Sequence, residues 1–145
     1  AKNSNVREKA SFLPENINTI KECGRLKFIQ GKGPIIKTDH FLFDILLFDG
    51  HTEKQMLPLL KYKNKTLVFA GDLIPTIGHI PVPYIMGYDT RPLMTLEEKS
   101  LFLDDAVKND YLLFMEHDAN NELISLKKTE KGVRFKESFK FDSYF

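Results

Sequence analysis

The sequence predicts an α/β domain in which a mixed, mostly antiparallel sheet is flanked by helices. Short apolar runs recur along the chain, bounded by glycine, proline, asparagine or aspartate, as strands are. Several neighbouring runs are separated by only a few turn residues, which suits antiparallel hairpins. Two other stretches place apolar side chains at helical spacing. The 145 residues, 42% hydrophobic and 28% charged, are expected to form a single globular domain over 1–145.

Taken in order, Val6 to Glu22 should hold one or two short helices. Ala10 and Leu13 share one face, Ile17 and Ile20 another, and Pro14 suits a first helical turn. Cys23-Gly24 stops the segment, because glycine just past a helix takes the left-handed conformation without a Cβ clash. Leu26 to Ile29 reads as a strand, Gln30 to Pro34 as a turn, and Ile35 to Lys37 and Phe41 to Phe48 as two further strands. Phe41 to Phe48 is apolar on both faces apart from Asp44, which predicts burial between layers. Met56 to Tyr62 and Thr66 to Ala70 are strands joined by a hairpin turn at Lys63-Asn64-Lys65.

Residues Ile74 to Pro92 contain four of the seven prolines and two glycines without a sustained period, as in an ordered functional loop. Thr95 and Glu98 have capping-box spacing, so a helix is expected from Thr95 to about Asn109, with Leu96, Phe102, Leu103, Ala106 and Val107 as its apolar stripe. The strand Tyr111 to Met115 follows. Glu122 to Lys127 and Val133 to Phe139 then close the chain around a turn at Thr129 to Gly132.

Charge and composition exclude several classes. Twenty-one Lys and Arg against twenty Asp and Glu leave a net charge of +1, without the cationic excess that nucleic-acid binding demands. The longest apolar runs fall well short of the roughly 20 residues that span a bilayer, so no membrane is expected as a partner. The one cysteine, Cys23, cannot form an intrachain disulfide, which fits the cytoplasm. Ala1 is neither an initiator methionine nor the start of an apolar leader, and the chain is expected to be a processed product or a piece of a longer one.

His51, Asp72 and His117 share one context, just past the C-terminal end of a strand-like run. If those strands end at one sheet edge, the three side chains converge in a crevice despite their separation in sequence. Imidazoles and a carboxylate are donors that divalent metals such as Zn²⁺ accept, and a carboxylate can bridge two ions.

At these residues the chain resembles a known family. Asp49-Gly50-His51-Thr52, Phe69-Ala70-Gly71-Asp72-Leu73 and Phe114-Met115-Glu116-His117-Asp118 are similar to the second, third and fourth metal-binding motifs of metallo-β-lactamase-fold hydrolases, in the same order. Ile74-Pro75-Thr76 through His79, then Tyr88-Asp89 and Pro92, resembles a branch related to lactonases. The resemblance implies the C-terminal half of an αββα sandwich and a site for one or two divalent ions, zinc foremost. His51 would serve one metal, Asp72 would bridge, and His117 would serve the other. A metal-bound hydroxide would attack an ester, lactone or related bond of a small-molecule substrate.

The family's first motif, H-x-H-x-D-H, has no match, since His40 follows Thr38-Asp39 and has no second histidine two residues away. The expected molecule is therefore an incomplete metal-dependent hydrolase, inactive as this chain alone. Its open apolar sheet face would await a missing N-terminal half or a second copy. Asp72 and His79 are the catalytic candidates, with Tyr84, Tyr88 and Asp89 lining the pocket. Asp118 would fix the tautomer of His117. His40 and Cys23 read as structural. The competing reading is a noncatalytic binding or dimerisation module that keeps only the scaffold.

Overall fold

A computed structural model describes residues 4–29, 36, 37, 39 and 41–144. The chain divides into two compact units, residues 1–31 and 32–145. In the first, Asn5 Oδ1 accepts from the amides of Arg7 and Glu8 at 2.9 and 3.1 Å and shapes a turn. One helix follows, α1 (Pro14–Glu22), with Pro14 in its first turn and Gly24 at φ +68° just past its end, as predicted. The strand expected at Leu26 to Ile29 does not form. A strand exists through hydrogen bonds to a neighbour, and here Leu26 and Phe28 are exposed, the latter by 83%. The expected turn at Gln30 to Pro34, residue Ile35 and His40 lie outside the described residues.

Among the described residues the second unit is built on seven strands in sequential order: β1 (Ile36–Lys37), β2 (Leu42–Phe48), β3 (Gln55–Tyr62), β4 (Lys65–Phe69), β5 (Leu112–Phe114), β6 (Leu123–Thr129) and β7 (Gly132–Phe139). Every pairing is antiparallel except β4 with β5, giving the mixed, mostly antiparallel sheet predicted. Lys63 at φ +50° turns the β3–β4 hairpin and Gly132 at φ +92° the β6–β7 hairpin. A parallel pair needs a crossover. Here it comprises two 3-10 turns, Gly71–Leu73 and Ile77–His79, a further loop, and the helix α2 (Pro92–Lys108). A last short helix, α3, spans Phe141–Tyr144. No described helix is long and apolar enough to cross a membrane.

With Arg91 rather than Thr95 at its N-cap, helix α2 starts four residues earlier than its capping-box signal suggests. Pro92, with φ preset for a helix and no amide to satisfy, opens the first turn. Thr95 is therefore inside the helix and buried, and Glu98 is free for another task. Phe102, Leu103 and Ala106 face the core as expected, and Phe102 meets Phe48 edge-on with ring centroids 5.8 Å apart. This core also takes in Leu57, Leu59, Val68, Leu113, Ile124 and the loop residues Leu73, Ile74 and Ile80. Full burial of each such side chain contributes about 1.5–3 kcal/mol.

The opposite sheet face is also apolar. Leu67, Leu112 and Leu123 are buried there, and Leu60, Phe114 and Phe139 pack around them. A shallow concavity on this face is lined by Phe43, Pro58, Leu60, Phe69, Phe114 and Phe141. The expectation that β2 is buried on both faces fails. Only its Phe48 is buried, while Leu42 and Leu47 are exposed. Alternating apolar residues do supply two apolar faces, but helix α2 and the loop before it cover just one of them.

Candidate functional site

Strand direction brings the three predicted site residues together. β4 and β5 run parallel, and β2 shares their direction because it is separated from β4 by one antiparallel strand. All three C-terminal ends therefore lie at one sheet edge, and His51, Asp72 and His117 follow them by only a few residues. His51 Nε2 lies 3.4 Å from Asp72 Oδ2, and His117 Nε2 lies 3.1 Å from Asp72 Oδ1. Each carboxylate oxygen of Asp72 thus faces a different imidazole.

The turn that carries His51 is clamped onto helix α2. Glu98, expected to complete a capping box, instead accepts from the amides of Asp49 and Gly50 at 2.8 and 2.9 Å. The Thr90 and Arg91 amides return bonds to the His51 and Gly50 carbonyls at 3.0 and 2.8 Å. Arg91 also donates from its guanidinium to the Asp49 carbonyl. This packing leaves no room beside Gly50, where an added Cβ would sit 2.4 to 2.6 Å from Thr95 Oγ1, N and Cα. The other face of the His51 ring meets Asp89, whose Oδ1 is 2.9 Å from Nδ1. Asp89 is 4% exposed, and its Oδ2 is buried without a hydrogen-bond partner among the described residues.

His79 joins the same loop system but makes no hydrogen bond to the other three. Its Nδ1 pairs with Thr76 Oγ1 at 2.9 Å. Burial and then the nearby Lys99 charge lower its pKa, against a raising pull from Asp89, so the ring is neutral at pH 7. Tyr84 and Tyr88 are exposed rather than packed. Among the described residues Asp118 makes no hydrogen bond to His117. Its oxygens accept from the amides of Ile77, Asn120 and Asn121 and from the Asn121 side chain, which ties the β5–β6 turn to the 3-10 turn of His79. An aspartate two residues or so before a turn satisfies local amides more readily than it reaches back to its neighbour's ring.

Lys99 is the residue that pattern reading missed. It lies on the buried stripe of α2, four residues from both Thr95 and Leu103, and is fully buried. Its ammonium donates to the carbonyls of His79, Pro81 and Tyr84 at 3.0, 3.2 and 2.6 Å. One side chain therefore spends its three donors on holding the loop that carries His79 and leads to Asp89. Burial pushes the Lys99 pKa down to about 8, against a raising effect from Asp89.

In the unfolded chain the same amine titrates near 10.5. Between about pH 8 and 10.5 the unfolded state then binds more protons, and the contribution of this group to stability rises with pH through that window. Urea denaturation of wild type and Lys99→Met is expected to show a gap that widens from pH 7 to pH 10, and a gap that narrows would refute the assignment.

The arrangement can be compared with the demands of a metal ion. Four donors at roughly 2.0–2.1 Å around one tetrahedral ion stand about 3.3 Å apart. The two imidazole-to-carboxylate separations, 3.4 and 3.1 Å, fit that spacing. Each position receives only two donors, however. Among the described residues no group of three or more His, Cys, Asp or Glu side chains could hold a metal ion by itself.

The fold, a mixed and mostly antiparallel sheet with flanking helices, is shared with solved structures. Three of them show the extent of the match. A probable metal-dependent hydrolase from Staphylococcus aureus matches over 94% of this chain and 48% of its own, with a TM-score of 0.71 and 16% identity. AidC, a dizinc quorum-quenching lactonase in complex with the product N-hexnoyl-L-homoserine, matches over 94% and 49%, with a TM-score of 0.67 and 23% identity. The hydrolase AbOPH of the beta lactamase superfamily matches over 86% and 42%, with a TM-score of 0.69 and 19% identity. The chain spans about half the length of these structures, in keeping with a C-terminal half. No family model and no curated protein sequence matches it.

Proposed function

We propose that this chain carries the C-terminal share of a metal-dependent hydrolase site, with His51, Asp72 and His117 as ligands to divalent ions, zinc foremost. The observation that carries the reading is the Asp72 carboxylate, split between two imidazole Nε2 atoms at ligand-to-ligand spacing. Such ions would polarise a carbonyl and lower the pKa of water towards neutrality. The chain's own residues do the rest. His51 is held from behind by Asp89, Asp72 spans the two positions, and His117 stands at the open rim with half of its side chain exposed. His79, neutral and tethered at Nδ1 by Thr76, has Nε2 to exchange a proton with a small ester or lactone substrate.

The fold of the neighbours and the donor set support the reading. Two donors per position leave either ion short of the usual four, so weak zinc binding and no ester or lactone turnover are expected from this chain alone. Asp72→Asn should lower zinc affinity by more than the about 10- to 100-fold typical of residues that merely support a ligand. Competition against a chromogenic chelator reads this out, and wild-type affinity in Asp72→Asn would sink the proposal. The exposed free Cys23 suits a reducing compartment such as the cytoplasm.

The same reading assigns the second sheet face to a partner that completes the site, either the other half of the sandwich or a second copy. Support comes from the ring stack of Phe69 on Phe114, with centroids 5.9 Å apart, beside the exposed Leu47 and Met56. Apolar patches of this kind favour association. Light scattering of the isolated chain is expected to show species heavier than a monomer. The double substitution Phe69→Lys with Phe114→Lys should restore the monomer, and a monodisperse wild-type monomer would count against this face as an interface.

A further inference from the structure

We propose that Asp89 is a positioning residue that keeps the neutral His51 ring protonated on Nδ1, so that the Nε2 lone pair faces Asp72. The functional meaning of this rests on the metal reading above, because only a bare Nε2 can ligate an ion; the protonation itself follows from geometry within this chain.

His51 stands between two carboxylates, with Asp89 Oδ1 2.9 Å from Nδ1 and Asp72 Oδ2 3.4 Å from Nε2. A neutral imidazole has one proton to give, and three observations send it to Asp89. The Asp89 contact is shorter by half an ångström. It is also drier, since the Asp89 side chain is 1% exposed and that of Asp72 30%, so the attraction is less screened.

The third observation is the partner count. Asp89 Oδ2 is buried with no hydrogen-bond partner, so the Nδ1 proton is the one donor its side chain receives among the described residues. Moving that proton to Nε2 would leave a buried carboxylate with no donor and facing a lone pair, which is strongly unfavourable. Asp72 has no such need, because water reaches it and His117 Nε2 is 3.1 Å away. The buried Lys99 ammonium attracts Asp89 and balances its charge in the interior.

His117 provides the contrast. Its Nδ1 has no hydrogen-bond partner among the described residues, and half of its side chain is exposed. Both carboxylates near this ring, Asp72 at 3.1 Å and Glu116 at 4.0 Å, face Nε2, and the proton belongs there. The two rings that flank Asp72 thus differ. His51 presents a lone pair and is ready for a cation, whereas His117 presents a hydrogen that must move to its solvent-exposed Nδ1 before Nε2 can bind one.

Long-range ¹H–¹⁵N correlation spectra of the ¹⁵N-labelled, chelator-treated chain test this directly, recorded while the pH is raised until the ring resonances stop moving. His51 is expected to show Nδ1 in the protonated range and Nε2 in the unprotonated range, with His117 the reverse. A His51 ring protonated on Nε2, or averaged over both nitrogens, would overturn the proposal whatever any variant does.

Asp89→Asn leaves Asp72 as the only charged acceptor and should move the proton to Nε2. Asp72→Asn should leave it on Nδ1. If Asp89 were merely structural, Asp89→Asn would lower the melting temperature and leave the proton in place, which would overturn its positioning role. Zinc titration of the same sample separates the two claims. Zinc binding with the His51 proton on Nε2 refutes this inference alone, and an Nδ1 proton without zinc binding refutes the metal reading alone.

Discussion

Gly50→Ala is expected to destabilise the protein by about 3 kcal/mol or more, at the upper end of what overpacking costs. The new methyl group would lie 2.5 and 2.6 Å from the backbone N and Cα of Thr95, and 2.4 Å from its Oγ1. The hydroxyl could rotate away, but the helix backbone could not. Relief would require the Asp49-Gly50-His51 turn to lift off α2, which breaks the two Glu98 bonds and the Arg91-to-Gly50 bond together. Chemical denaturation measures the cost, and zinc competition should show His51 displaced as well. A variant that unfolds within about 0.5 kcal/mol of wild type, the usual range for neutral surface changes, would mean that the close approach is not real.

Lys99→Met should cost about 3 kcal/mol, although methionine keeps most of the buried volume. Exchanging a buried charge for an apolar side chain is often neutral when its partners are exchanged too. Here the partners stay. Three carbonyls, of His79, Pro81 and Tyr84, would lose their donor, and Asp89 would lose the cation that balances it. Each unmet buried group costs about 1–3 kcal/mol, partly offset by sparing the ammonium its desolvation. Denaturation midpoints report the total, and faster amide exchange confined to residues 77–89 should report its location. Wild-type stability in Lys99→Met would show that water, rather than the ammonium, satisfies those carbonyls.

Much of the fold was legible because its signals are local. The run Phe41 to Phe48, the two hairpin turns and the apolar stripe of α2 depend on residue type and spacing, and they appear where expected within a residue or two. The failures share a cause. Leu26 to Ile29 has strand-like composition, but a strand needs a neighbour that composition does not name. Thr95 and Glu98 have capping spacing, but Pro92 captured the helix start and released Glu98 to bind the His51 turn. A lysine on an apolar stripe could have been noticed. Which carbonyls it would reach could not, because they lie 15 to 20 residues away.

The candidate site divides in the same way. Position after a strand was enough to single out His51, Asp72 and His117, and the sequence by itself determined the side-chain types of the candidate site and their order. It also determined that H-x-H-x-D-H has no counterpart here. Only the tertiary structure decided that three strand ends share one edge, since that depends on the parallel β4–β5 pair and its crossover. It likewise decided that Asp89, named beforehand only as a pocket residue, lies against His51, and that Asp118 serves backbone amides instead. Hydrogen bonds act over about 3 Å whatever the distance along the chain. Residue identity therefore limits which partners are possible, while packing of the whole unit selects among them.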